Sequence, residues 1–393
     1  MSESIVIVSA ARTPIGSFQG EFSPLAANDL GGVAIAEAVK RAGIKPEQVN
    51  EVFFGNVLPA GQGQAPARIA AWKAGLPRST GAVTLNKVCG SGMRAAMFAS
   101  DMLTAGNADV IVAGGMESMT NAPYMLLKGR SGYRMGHGKV YDHMMLDGLE
   151  DAYEAGRSMG TFAEDCAGKY SFTREQQDAF AAESVKRAQA AIQNGDFKAE
   201  IVPVTVHGRK GDQVFDTDEL PGKVKLDNIP KLKPAFKKDG TVTAASSSGI
   251  SDGAAAMVLM RESTAKQLGC KPLARLVAHA THSQEPQWFT TAPVGASQKV
   301  LQKAGWKTSD VQLWEVNEAF AVVTMALMHD LKVPHNLVNI HGGACALGHP
   351  LGCTGARIMV TLLYAMQAKG LKKGIATLCI GGGEATAVAL EML

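Results

Sequence analysis

The sequence predicts an α/β chain made of two duplicated halves with a dissimilar segment inserted between them. Three observations predict it. Apolar strand patterns alternate with helical ones, three segments recur in order in the second half, and the middle of the chain lacks this pattern.

The alternation begins at once. Residues 5–9 form a β-rich run, and 29–42 have helical spacing that stops at Gly43. Residues 49–55 read as a strand, 68–74 and 93–105 as helices, and 108–113 as a buried strand running into Gly114-Gly115. Strands separated by helices predict a mostly parallel sheet.

The second half repeats the first. RAGIKPEQVNEV (41–52) resembles KAGWKTSDVQLW (303–314), Ser91-Gly92-Met93-Arg94 resembles Thr354-Gly355-Ala356-Arg357, and VAGGMES (112–118) pairs with CIGGGEA (379–385). Matches in one order at nearly one separation argue for a duplicated domain, and the separation is far too long for a solenoid. The predicted units are 1–118 with 250–270, an inserted 119–249, and 271–393. The insert is rich in charge and loop residues. It holds one strong helix, 174–194, opened by Thr173 and stopped by Gly195. It reads as a loop domain covering a site that the two halves build. Residues 250–269 are expected to return a further helix to the first half.

Composition narrows the function. The 393 residues exceed one ordinary domain, and 46% hydrophobic against 19% charged residues supply a large core. A net charge of +3 without a long Lys/Arg run argues against nucleic acid or a membrane surface as partner. The N-terminus lacks the basic and apolar regions of a signal peptide, and no stretch approaches the ~18 apolar residues of a membrane span. The six cysteines form no CxxC pair, which fits free thiols in a reducing, cytoplasmic setting. His279 and His282 have no third ligand and HExxH is absent, so no metal is expected.

Four motifs carry chemistry. In LNKVCGSGMRAAMFASDML, Cys89 follows an apolar strand and precedes a helix. Helix N–H groups and the dipole there favour a thiolate, although a buried structural Cys fits the same pattern. In VNIHGGACALGHPLGCTGAR, five glycines crowd a loop around His349-Pro350. That loop looks built for close approach of a ligand, with His349 a candidate base or a structural histidine. In ATLCIGGGEA, Cys379 ends a buried strand and Gly381-Gly382-Gly383 follow. Their N–H groups can form an oxyanion hole, or the Cys can be an inert core residue. In EVNEAFA, Asn317 stands where a strand meets a helix and can be a mere N-cap. Ser246, Ser247 and Ser248 can hold a polar ligand or form a tight turn. A rival reading takes Gly90-Ser91-Gly92-Met93-Arg94-Ala95 as a loose dinucleotide fingerprint, with Glu117 as its acid. The matching turn in the second half lacks that pattern.

Together these segments, with SAARTPIGSF near the start, resemble the thiolase family in its biosynthetic acetyl-CoA acetyltransferase branch. The resemblance covers the whole chain. It implies the thiolase fold, two α/β halves layered α-β-α-β-α with a loop domain, and a homotetramer. It also implies reversible condensation of two acetyl-CoA to acetoacetyl-CoA and CoA, with no cofactor beyond the CoA thioester substrate. Carried over residue by residue, Cys89 becomes the nucleophile, His349 its activator, and Cys379 the base for the second acetyl-CoA. Asn317, through a water, and His349 would hold one thioester oxygen, and the N–H groups of Cys89 and Gly381 the other. Ser248, Leu149, Met159, Ala319 and Phe320 would line the CoA tunnel. Lys223 or Lys225 would stand in for a basic residue near the nucleotide.

The sequence departs from the family at Ser158, Ser246-Ser247-Ser248, His341 and Ala385, and at Phe289, which replaces the usual acyl-pocket Met beside Trp288. A degradative 3-ketoacyl-CoA thiolase would use the same residues on longer chains. A ketoacyl synthase would carry a His where Cys379 stands. A CoA-binding module without activity would be expected to have lost Cys89 or His349.

Overall fold

The computed structural model describes residues 3–209 and 211–393; Met1, Ser2 and Lys210, which fall inside the first and inserted segments delimited above, lie outside the described residues. One ten-stranded sheet runs through both halves. Its order is Leu313–Val316, Lys373–Ile380, Glu384–Met392, Ala274–Ser283, Ile5–Arg12, Ser251–Arg261, Val110–Ser118, Glu51–Gly55 and Gly81–Leu85, with the short strand Gly16–Ser17 pairing off this path. The halves meet where Ile5–Arg12 touches Ala274–Ser283 through only Val6↔Arg275 and Ile7↔Ala274.

The duplication is visible in the pairing. In the first half, Val110–Ser118 is parallel to Glu51–Gly55 and antiparallel to Ser251–Arg261. In the second half, Lys373–Ile380 is parallel to Leu313–Val316 and antiparallel to Glu384–Met392. The expectation of mostly parallel strands therefore fails at the centre of each half. The strand Ser251–Arg261 was expected as part of a helical return, because its run SDGAAAMVLMR is buried nearly throughout and shows no alternation. Only the short helix Glu262–Leu268 follows it. The strand expected at 108–113 also extends through its two glycines to Ser118.

Three apolar cores give five layers. The helices Ser91–Thr104 and Leu351–Lys369 stand side by side between the two half-sheets. Met93, Met97 and Leu103 of the first pack with Ile358, Met359 and Leu362 of the second. Ala27–Ala42 and Pro66–Lys73 cover the outer face of the first half. Ala292–Ala304 and part of Ala321–Leu331 cover that of the second.

Glycine makes the central layer possible. A Cβ on Gly115 would run into the Gly352 carbonyl, and Gly55 and Gly92 face that same carbonyl. The glycines meeting at Gly352 thus let two helices and two strands approach closely. Within the insert, the helix Arg174–Asn194 begins at a capping box. Gln176 N–H donates to Thr173 Oγ at 3.2 Å, Thr173 N–H donates to Gln176 Oε1 at 2.9 Å, and Gly195 ends the helix at φ 77°.

Candidate active site

Cys89 lies in the turn between Gly81–Leu85 and Ser91–Thr104. Val88, immediately before it, takes φ 46°, a left-handed conformation that costs a β-branched residue on the order of 1–3 kcal/mol. Short local bonds hold this turn. Asn86 Oδ1 accepts from Val88 N–H at 2.8 Å, Ser91 Oγ accepts from Lys87 N–H at 2.8 Å, and Ser91 Oγ donates to the Val88 carbonyl at 2.6 Å. The Ser of CGSG is therefore the brace of the turn, a role that the sequence reading missed.

The second half brings its groups to the same place. The backbone N–H groups of Gly381 and of Cys89 itself lie near enough to the Cys89 sulfur to favour its thiolate. Cys379, fully buried at the end of Lys373–Ile380, is near enough that a thiolate at Cys89 disfavours one at Cys379. Burial pushes the Cys89 thiol up to about 11, against the depressed value expected from a helix N-terminus. The two N–H groups pull it down by less than desolvation raises it. Burial likewise raises Cys379 well above the usual thiol range.

His349 precedes the helix Leu351–Lys369, and its own N–H donates to the Gly249 carbonyl at 2.9 Å. Its Nδ1 lies 2.6 Å from Thr354 Oγ1 and its Nε2 lies 3.5 Å from Asn317 Nδ2. Burial and then the Arg357 guanidinium lower its pKa to about 3, so the imidazole is neutral. Arg357 faces Glu315, 3.6 Å away, and both are 1% exposed. Asn317 follows the strand Leu313–Val316, and Phe320 caps the next helix, which removes the N-cap alternative for Asn317.

Apolar residues shape the surroundings. Ala319, Phe320, Phe289 and Cys379 share one cluster, with Met159 packed against it. Phe289 points inward, edge-on to Phe162 at 6.1 Å and to Phe320 at 6.5 Å between ring centroids. Trp288 instead lies under the Lys169 ammonium, 4.2 Å from its ring, so only one of the two bulky residues faces the cluster. Leu149 and Cys89 pack together against Val57, Leu58 and Leu351. Ser248 N–H donates to the Ala319 carbonyl at 3.0 Å.

Other expected residues lie apart. The Lys223 ammonium pairs with Glu219 and donates to Ser17 Oγ at 2.9 Å, with no contact to the two thiols. His279 faces Asp101 at 2.9 Å and His282 faces Gln284 at 3.1 Å, each away from the other. Ser158 is the N-cap of Met159–Tyr170, and His341 stacks edge-on against Phe197. Glu117, the acid of the dinucleotide reading, is fully buried beneath Cys89 and unavailable to a ribose. An open cleft lies elsewhere, beside Arg68, Trp72 and Arg78.

A duplicated five-layer α/β fold with a thiol from each half at one junction defines a thiolase. The chain belongs to that family: the family described as "Thiolase, N-terminal domain" matches residues 5–263, and "Thiolase, C-terminal domain" matches 270–392. The acetyl-CoA acetyltransferase of Allochromatium vinosum is 50% identical over 395 residues, covering 100% of both chains. That of Chromobacterium violaceum is 51% identical over 389 residues, covering 98% of this chain and 99% of its own. The crystal structure of the Bacillus anthracis acetyl-CoA acetyltransferase superposes with a TM-score of 0.97 at 40% identity, covering 100% of this chain and 99% of that one. The Acat5 thiolase of Ascaris suum, solved in complex with coenzyme A, superposes with a TM-score of 0.94 at 41% identity over 100% of both chains. The chain is an acyltransferase of this family.

Proposed function

We propose that this enzyme is an acetyl-CoA C-acetyltransferase that condenses two acetyl-CoA to acetoacetyl-CoA and CoA, reversibly, through an acetyl-Cys89 intermediate. The observation that carries the reading is the pair of thiols, one from each half, meeting beside Gly381 N–H. Simple acyl transfer needs one nucleophile, whereas carbon–carbon bond formation also needs a base for the α-carbon.

Both thiols are protonated at rest, so activation waits for the substrate. His349, neutral and with Nε2 unprotonated, takes the Cys89 proton as the sulfur attacks the thioester carbonyl. The departing CoA thiolate then takes that proton. The oxyanion of this step sits between the N–H groups of Cys89 and Gly381. Once acetylated, Cys89 can no longer ionise, so the repulsion that a Cys89 thiolate would add to the burial raising Cys379 cannot arise. Cys379 then gives its own proton to His349 Nε2 and, as the thiolate, removes an α-proton of the second acetyl-CoA. The enolate attacks acetyl-Cys89, releasing acetoacetyl-CoA and expelling the Cys89 thiolate, which takes back the proton held on His349. Asn317, through a water, and His349, protonated on Nε2 at this step, hold the enolate oxygen.

Phe289 beside Phe320 closes the acyl pocket, which favours short chains over the degradative alternative. Leu149, Met159, Ser248, Ala319 and Phe320 line the pantetheine path, beneath a cover formed by residues 119–249. Lys223 reaches the nucleotide end only by leaving Glu219. No helix of the described residues is long and apolar enough to cross a membrane. The free thiols support a cytoplasmic enzyme. The exposed Tyr124, Leu126, Leu127 and Met135 support a homotetramer, which light scattering tests. Rates of thiolysis across 3-ketoacyl-CoA esters of increasing length test the function. Activity confined to the shortest esters is expected, and equal kcat/KM at longer lengths would move the enzyme to the degradative class.

A further inference from the structure

Glu117 ends the strand Val110–Ser118 and is 0% exposed, yet every group that bonds it is uncharged. Its Oε1 accepts from Asn56 Nδ2 at 2.6 Å and from Leu58 N–H at 3.1 Å. Its Oε2 accepts from Val57 N–H at 2.9 Å and from Gly352 N–H at 2.8 Å. Only a carboxylate accepts four N–H donors in this way.

The donors come from both halves. Three belong to the loop after Glu51–Gly55, whose Val57 and Leu58 form with Leu351 the apolar wall behind Cys89. The fourth is the second residue of Leu351–Lys369, a helix with no side-chain cap of its own. A carboxylate of the first half therefore caps the helix of the second half that begins just after His349. The helix N-terminus also favours the negative charge there. Burial raises Glu117 to about 7, and the four donors hold it from going further. The titratable groups around it are the thiols Cys89 and Cys353, and Cys379 faces Cys89 from the other side.

We propose that Glu117 is a positioning residue for acetyl transfer, fixing the wall behind Cys89 relative to the turn that carries His349, and placing a negative charge beneath the nucleophile at the alkaline pH where that thiol ionises. This rests on the roles given above to Cys89 and His349. In Glu117→Gln the amide nitrogen must face two N–H donors whichever way it turns, so two of the four bonds are lost together with the charge.

Two readouts on the full-length enzyme separate positioning from mere stability. Iodoacetamide alkylation of Cys89, followed by peptide mass against pH, reports the charge. Its midpoint is expected to fall by about one pH unit in Glu117→Gln. Thiolysis of acetoacetyl-CoA reports the positioning, with kcat expected to fall at least about tenfold and KM to stay within about twofold. Asn56→Ala keeps the charge and removes one donor. It is expected to leave the midpoint in place and lower kcat severalfold, and it decides the matter if Glu117→Gln does not fold. An unmoved midpoint or a parental kcat in folded Glu117→Gln would overturn the proposal, as would a parental kcat in Asn56→Ala. If the parent enzyme shows no thiolysis, the acetyl-transfer reading fails instead, and the alkylation midpoints still decide the placement of the charge.

Discussion

His349 Nδ1 lies 2.6 Å from Thr354 Oγ1, and that hydroxyl donates its only proton to the Pro350 carbonyl at 2.9 Å. Thr354 can therefore only accept from the ring. Nδ1 carries the proton, and Nε2 presents a lone pair toward Asn317 Nδ2, 3.5 Å away.

Replacing Thr354 by Val removes that acceptor and frees the ring to take the other tautomer. We expect kcat to fall about tenfold to a hundredfold, the effect of a buried bond worth about 1–3 kcal/mol, with little change in KM. Steady-state thiolysis checks it. A parental kcat in a folded Thr354→Val protein would show that the tautomer is set by something else.

The depressed His349 pKa predicts the acid side of the stability curve. The unfolded chain's histidine binds a proton below about 6.5, whereas the native one does so only near 3. The unfolded state thus binds more protons in that window. His349 stabilises the fold above about pH 6.5, and this contribution is lost as pH falls, by at most about 1.4 kcal/mol per unit. Glu117 and Glu315, raised to about 7 and about 8, act with the opposite sign and favour the native state below their ordinary range. Urea unfolding against pH is expected to show a shallower loss below pH 6.5 in His349→Asn than in the parent. Parallel curves would place His349 in a more solvated setting.

The buried ring of Phe289 predicts chain-length selectivity. Phe289→Ala is expected to raise kcat/KM for a C8 substrate relative to C4 while leaving Cys89 acetylation intact, since about 1–3 kcal/mol of discrimination attaches to each methylene. It also loses stability, about 3–5 kcal/mol for a buried aromatic ring, and a thermal melt must establish that the variant is folded. An unchanged C8 to C4 ratio in the folded protein would mean that the pocket is closed elsewhere.

Cys379 is expected to act only after acylation. In Cys379→Ala, acetyl-CoA should still label Cys89 at close to the parental rate while condensation collapses by several orders of magnitude, because the base for the α-proton is gone. Equal loss of labelling and condensation would remove the division of labour between the two thiols.

The legible parts of this molecule are those set by local chemistry. The helix Arg174–Asn194 was readable to the residue because Thr173, Gln176 and Gly195 close it by their own bonds. The duplication was readable because both halves carry the same turn chemistry. What escaped was decided by tertiary contact. The strand Ser251–Arg261 hid in a run with no period, since both of its faces are covered. The packing role of Gly352, as the meeting point of four backbone segments, had no sequence signal of its own. The Cys89 thiol looked depressed from its place before a helix, but burial under the second half outweighs that dipole. Thr354 and Ser91 carried no signal beyond their small polar side chains. Only the fold shows that one orients His349 and the other braces the turn at Cys89.

The central claim, that Cys89 carries the acyl group, is tested most directly by mixing the enzyme with acetyl-CoA alone, quenching, and determining intact mass with peptide mapping. The account predicts one acetyl group per chain, on Cys89, before any second substrate condenses with it. An unmodified Cys89, or acetyl on Cys379 or another residue, would contradict it.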